Sequence, residues 1–265
     1  MEILAYFASA LIGISLGLIG GGGSILTVPV MVYLFGVNPL LATSYSLFIV
    51  GTTSLMGAYQ NWRNNLVNLK TVLLFGLTSI TTVFIIRKFF ISFIPAHLFS
   101  ISGFQVTSNV ITMVLFAVLM VVASFSMISD KKTMTPGVST ASGNTLKLLL
   151  YGVGIGVTTG LLGAGGGFLL IPTLVILVGL PMKEAVGTSL MIIALNSLVG
   201  FAGDLGHFQI DWPFLLKVTS IAIAGIFLGS FLSTKIDSEK LKKGFGWFVL
   251  VMAGYIMLKE LLLKP

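Results

Sequence analysis

No cysteine occurs among the 265 residues, which excludes disulfides, thiol nucleophiles and thiolate-held metals. Charge is nearly as scarce. Asp, Glu, Lys and Arg make up 9% of the chain, where an ordinary soluble domain carries roughly 25%. So few ionic groups cannot solvate the surface of a water-soluble globule, and a polytopic membrane protein is expected instead. Only two histidines are present, no His-x-Glu or similar spacing offers a metal site, and no Ser, His and Asp set is arranged for hydrolysis. Neither an enzyme nor a metal protein is expected.

Fifteen Lys and Arg against eight Asp and Glu leave a net charge of +7. The cations stand between apolar runs, where they set topology and touch anionic lipid; the bilayer is the expected partner, and nucleic acid is not. The opening "MEILAYFASALIGISLG" has no basic leader and no small-residue cleavage site, so it is expected to stay as a first span. All eight acids (Glu2, Asp130, Glu184, Asp204, Asp211, Asp237, Glu239 and Glu260) fall near span ends or in loops. A cation permease would bury at least one at mid-membrane. The chain therefore offers hydrogen-bond donors without buried negative charge, which suits an anionic solute.

What the chain has is apolar length, with 56% hydrophobic residues, a mean hydropathy of +1.07 and 31 glycines. Taking about 20 residues per crossing, the apolar runs fall near 3–36, 40–60, 68–90, 104–128, 146–180, 184–203, 213–234 and 242–263. The fold class is thus all-α, with about eight transmembrane segments. Two of the runs, 3–36 and 146–180, are too long for one crossing: a straight helix of that length would reach about 50 Å against a hydrocarbon core of roughly 30 Å. Each contains a glycine cluster, "GLIGGGGSILTVP" from residue 17 and "GLLGAGGGFLLIP" from residue 160. Each run must tilt, break, or double back as a re-entrant hairpin.

The two clusters belong to a duplication. With an offset of 143, Ile12 to Gly57 align with Ile155 to Gly200 without a gap, with 19 identities in 46 positions. The most polar stretch, "SDKKTMTPGVSTASGNTLK", lies between the copies. It divides the chain into a first repeat (1–128), a linker (129–145) and a second repeat (146–265). Duplicated membrane proteins with interrupted helices are commonly secondary transporters that bind substrate between their repeats. If each long run is one crossing, the repeats are parallel; if each doubles back, they are inverted. The Lys and Arg residues gather on one side better in the inverted arrangement.

Gly13 with Gly17, and Gly152, Gly156 and Gly160, have the spacing of helix-packing glycines. Gly20 to Gly23 and Gly165 to Gly167 instead unwind a helix, which is tolerated in a membrane only where the backbone lines a wet or protein-filled space. The clusters lack the Lys-Ser or Lys-Thr of a phosphate loop, so no nucleotide cofactor is expected, and none of another kind. The expected anion site comprises backbone N–H groups at Gly21, Gly22, Gly23, Ser24, Gly165, Gly166 and Gly167. The side chains of Ser44, Ser46, Thr188, Ser189 and Asn196 would complete it, with Thr53, Ser54 and Ser197, like Asn196, about two turns along. The second span ends at Arg63, in reach of an entering anion or anchored at the interface beside Trp62. His207 and Asp204, in the matching region of the second half, read as a solvated loop pair, the competing reading being a proton carrier at the mouth.

The doubled glycine clusters, followed by "ATSYSLF" and "AVGTSLM" and then by "LVNLK" and "FQIDW", resemble the TauE/SafE sulfite exporter family over nearly the whole chain. The resemblance implies a multi-pass permease of a bacterial cytoplasmic membrane, moving sulfite, sulfonates or related anions; rocking of one repeat against the other would give alternating access. A homodimer is compatible with it. An anion channel, or a transporter of another small organic anion, is the competing reading. The first copy departs from the pattern, carrying Ser44 and Tyr45 where the second has Gly187 and Thr188.

Overall fold

The computed structural model describes residues 2–90, 97–101, 104–129, 145–233 and 238–262. Residues 130–144 of the expected linker lie outside the described residues.

Both long apolar runs break at their glycines. Helix α1 (Glu2–Ile19) stops at Gly20, whose φ of 77° lies in the left-handed region that side chains disfavour; a 3₁₀ turn (Gly22–Leu26) and α2 (Thr27–Tyr33) follow. In the second half α6 (Thr145–Leu162) stops at Gly163, with φ of 67°, and α7 (Gly167–Thr173) runs on into a π-helical turn (Leu174–Val178). Contacts decide whether each break is a kink or a reversal. Gly23 lies against Ser15 and Leu16 of α1, and Gly166 against Ile155 and Thr159 of α6. In a continuous helix, residues so spaced would stand about 10 Å or more apart. The chain therefore reverses, and each run is a hairpin of one long and one short helix.

The intervening elements are full-length helices with sequence-specified starts. Asn38 caps α3 (Pro39–Arg63), its side chain accepting from the Leu40 N–H at 3.1 Å. Asn68 does the same for α4 (Leu69–Ile85), accepting from the Thr71 N–H at 3.0 Å; α4 continues as a π-helical turn (Ile86–Phe90). Then come β1 (His97–Ile101), β2 (Phe104–Thr107) and α5 (Ser108–Ile128) in the first half, and α8 (Met182–Asp204), α9 (Trp212–Ser233) and α10 (Ser238–Leu262) in the second. The antiparallel pair β1–β2 adds to the expected helices: the run placed at 104–128 begins as a strand, because alternating residues flank a Ser-Gly turn signal. Among the described residues, five helices, α3, α4, α5, α8 and α9, are long and apolar enough to cross a membrane.

Packing crosses between the halves. Gly13 and Gly17 of α1 lie on the backbone of α9 at Ala222 and Ile226, and Gly152 and Gly156 of α6 on α4 at Phe75 and Ser79. Residue numbers rise together in each pair, so α1 runs parallel to α9 and α6 parallel to α4. Helices α3 and α8 cross at the centre in the opposite sense, Gly57 meeting Leu190 and Gly200 meeting Leu47, so they are antiparallel. Leu47, Ile49, Val50, Ile192, Ile193 and Ala194 there are fully buried. The outer faces are apolar: Leu73, Leu77, Phe125, Phe231 and Val251 are 61–68% exposed, a surface suited to hydrocarbon and not to water.

Candidate functional site

The two hairpin tips meet. Gly21 and Gly167 touch backbone to backbone, and a side chain on either would strike the other. Ile193 of α8 packs beside both, while Gly165 lies against Val50 of α3 and Ile193 and Ser197 of α8. The glycine clusters that sequence separates by 143 positions are thus brought to one place between α3 and α8. Flanking contacts are paired as well: Gly20 abuts Val186 at the start of α8, and Gly163 abuts Thr43 at the start of α3. Gly22 opens the 3₁₀ turn, and Gly23 and Gly166 face their own hairpin's long helix.

Several expected donors already have work. Ser24 Oγ donates to the Gly21 carbonyl at 2.8 Å, tightening the first tip, and Ser46 Oγ donates to the Gly163 carbonyl at 2.8 Å, tying α3 to the second. Ser189 Oγ donates to the Val186 carbonyl of its own helix at 2.8 Å, while Thr188 Oγ1 accepts from the Asn68 N–H at 3.0 Å and so anchors the start of α4. Ser44 Oγ, beside the Asp204 carboxylate, closes no hydrogen bond. Further unpartnered polar atoms sit deeper along α3 and α8. Ser54 and Ser197, mates across the 143 offset, are fully buried with unpartnered hydroxyls. Asn196 donates to Ser79 Oγ at 2.6 Å, and its carbonyl oxygen has no partner. Arg63 is not among them; it ends α3 at the exposed surface.

The acids need correction. Asp204 is not in a solvated loop: it ends α8 with 0% exposure, its Oδ2 accepting from Arg87 NH1 at 3.0 Å, and Arg87 is equally buried. Arg87 NH1 also donates to Thr43 Oγ1 at 3.1 Å. Because Thr43 abuts Gly163, this ion pair borders the second hairpin tip. Glu260 is buried too, accepting from the Tyr33 hydroxyl at 3.0 Å, with Lys259 Nζ 4.4 Å from the centre of the Tyr33 ring. Arg87 beside Lys88 looks interfacial by composition. One signal contradicts that: the 143 offset carries Arg87 onto Ser230, inside the apolar run 213–234. A groove of about 540 Å³ lined by Tyr6, Pro213, Leu216, Lys217, Ser220 and Ile221 shares no residue with the tips.

A family model described as "Sulfite exporter TauE/SafE" matches residues 5–256. A "Probable membrane transporter protein" of Xylella fastidiosa strain 9a5c is 28% identical over 265 residues, covering 96% of this chain and 94% of its own. "Probable membrane transporter protein YdhB" of Bacillus subtilis is 28% identical over 248 residues, 94% of this chain and 96% of its own. "Probable membrane transporter protein MJ0441" of Methanocaldococcus jannaschii is 34% identical over 115 residues, 41% of this chain and 43% of its own. No solved structure matches the chain significantly.

Proposed function

The chain belongs to the sulfite exporter TauE/SafE family, and from that premise we propose that it is a secondary transporter of a small sulfur-containing anion, such as sulfite or an organosulfonate, working by alternating access in a bacterial cytoplasmic membrane. The observation that carries this reading is the meeting of two unwound hairpin tips at Gly21 and Gly167, with the unpartnered Ser197 hydroxyl beside Gly165 and that of its mate Ser54 buried on α3. Unwound backbone at the centre of a membrane fold leaves N–H groups for a ligand. Neutral hydroxyls add donors with no fixed negative charge to repel an anion. The anion would sit between the tips and the middle turns of α3 and α8, with Asn196 at its edge. Ser24, Ser46, Thr188 and Ser189 hold that frame in shape.

The repeats are inverted in this reading. Helices α3 and α8, which correspond across the 143 offset, cross antiparallel. Copies related by an axis along the membrane normal would place corresponding helices parallel. The contacts also come in mates: Gly13 with Ala222 answers Gly156 with Ser79, and Gly20 with Val186 answers Gly163 with Thr43. Each hairpin rests on a helix of the other half, so the moving bodies combine elements from both repeats.

Proteoliposomes test the reading. Saturable uptake of sulfite or a simple sulfonate, with accelerated exchange when the anion is preloaded inside, is the expected result. Unsaturated conductance would mark a channel, and no movement of sulfite, thiosulfate or simple sulfonates would remove the transport assignment.

A further inference from the structure

The ion pair beside the second tip is only half made. A guanidinium carries five N–H donors, yet Arg87 uses NH1 alone; NH2, Nε and Asp204 Oδ1 have no partner, although both side chains have 0% exposure. A pair selected for rigidity would be bidentate, because each buried polar group left unmade costs about 1–3 kcal/mol. The fold does not require the pair, either. At the 143 offset Arg87 falls on Ser230 and Asp204 on Asn61, so the equivalent place beside the first tip is neutral, with Ser230 Oγ and Gln60 Oε1 3.0 Å apart. Among the described residues, an ion pair borders one tip and a neutral contact stands in the equivalent place beside the other. Through Thr43, which takes a bond from Arg87 NH1 and abuts Gly163, the guanidinium stands one residue from the unwound backbone.

We propose that Arg87 is the charged anchor of the transported anion and Asp204 the carrier of a co-transported proton, whose arrival frees the guanidinium to receive two anion oxygens on its unpaired NH2 and Nε edge. The inference rests on the transport reading above and names its substrate class and coupling ion. Charge balances at each stage. At rest, Arg87⁺ and Asp204⁻ sum to zero. One proton from the aqueous side then neutralises the carboxylate, and one monoanion takes its place against Arg87⁺, so the buried site remains neutral. A dianion would leave a net negative charge where hydrocarbon and protein surround it, which is prohibitive. The substrate is therefore a singly charged oxyanion with two free oxygens, of the hydrogen sulfite or sulfonate type, carried together with one proton.

The neighbours narrow the assignment. Around the pair, α3 contributes the uncharged Thr43 and Ser44, and α6 meets the π-helical turn at Gly160, which abuts Ile86. Lys88 follows Arg87 on the π-helical turn. His207, whose N–H donates to the Asp204 carbonyl at 3.0 Å, is the other ionisable group beside the carboxylate.

Binding to the purified full chain, followed by calorimetry from about pH 5 to about pH 8, separates these roles. The probes are methanesulfonate as a monoanion and sulfate as a dianion. Methanesulfonate should bind more tightly as pH falls, by on the order of tenfold per pH unit where one proton is taken up with the anion, and sulfate should not bind. Asp204→Asn, a permanent mimic of the protonated acid, should bind methanesulfonate with no pH dependence. His207→Gln should keep the wild-type slope. Arg87→Gln should lose binding about a hundredfold, and the neutral pair Arg87→Gln with Asp204→Asn, which leaves no charge buried alone, should be equally deficient. A wild-type affinity that ignores pH, a slope that survives in Asp204→Asn, or tight binding by the neutral pair overturns the inference while leaving transport intact. Failure of the wild type to bind any monoanion overturns this inference and the transport reading together.

Discussion

Replacing Gly163 with alanine adds one methyl group at the point where α6 gives way to the second hairpin tip. Two costs follow from the geometry. The residue has a φ of 67°, where a β-carbon costs about 1–2 kcal/mol. The methyl would also enter the space held by the carbonyl and β-carbon of Thr43, a backbone obstacle that cannot swing away, adding about 1–3 kcal/mol of overpacking. The sum is about 2–5 kcal/mol, or on the order of 10 °C in Tm for a chain of this size. Two comparisons separate the contributions. Gly36 shares the backbone conformation, with φ of 69°, but has nothing within 4 Å of an added methyl, so Gly36→Ala should cost only the conformational part. Gly154 sits inside α6 at an ordinary φ, also with nothing within 4 Å, so Gly154→Ala should be neutral or stabilising by up to about 1 kcal/mol. Thermal unfolding of the purified variants in detergent, read by intrinsic fluorescence, gives the order. If Gly163→Ala unfolds within about 1 °C of wild type, or no earlier than Gly36→Ala, the tip does not have the packing described.

Removing one member of the buried ion pair should cost more than removing both: Asp204→Ala leaves Arg87 charged and alone, at about 3–5 kcal/mol, while Arg87→Met combined with Asp204→Leu should recover most of that loss in denaturation measurements. Ser54→Ala and Ser197→Ala delete hydroxyls that bond to nothing in the protein, so each should change Tm by less than about 2 °C, while proteoliposome uptake of the anion falls at least about tenfold. Glu260→Gln keeps a partner for Tyr33 but removes the charge, and should cost about 1 kcal/mol, read as a small fall in Tm. Arg63→Ala, at the exposed end of α3, should leave both Tm and uptake unchanged.

The breaks were legible because length is a one-dimensional property: the runs at 3–36 and 146–180 exceed one crossing, and their glycines say where they break, but not whether the chain then reverses. Helix starts at Asn38 and Asn68 were equally local. The Arg87–Asp204 pair was not, since its members are 117 residues apart and each alone looks like an ordinary span-end charge. Composition could not tell the working hydroxyls from the idle ones. Ser46 and Ser54 lie on the same helix eight residues apart, yet one closes a bond to the Gly163 carbonyl and the other closes none. That difference depends on where the second hairpin comes to rest, which no single segment encodes.

The parallel seams of α1 on α9 and α6 on α4 have a consequence for assembly. At each seam a glycine lets one backbone lie directly on another, so the opening hairpin of either half finds its mate only in the other half. Neither half can complete itself. During synthesis α1 must wait in the bilayer, its glycine face uncovered, until α9 is inserted some two hundred residues later. The two halves are braided, and a chain severed between α5 and α6 should still be recovered from the membrane as one particle.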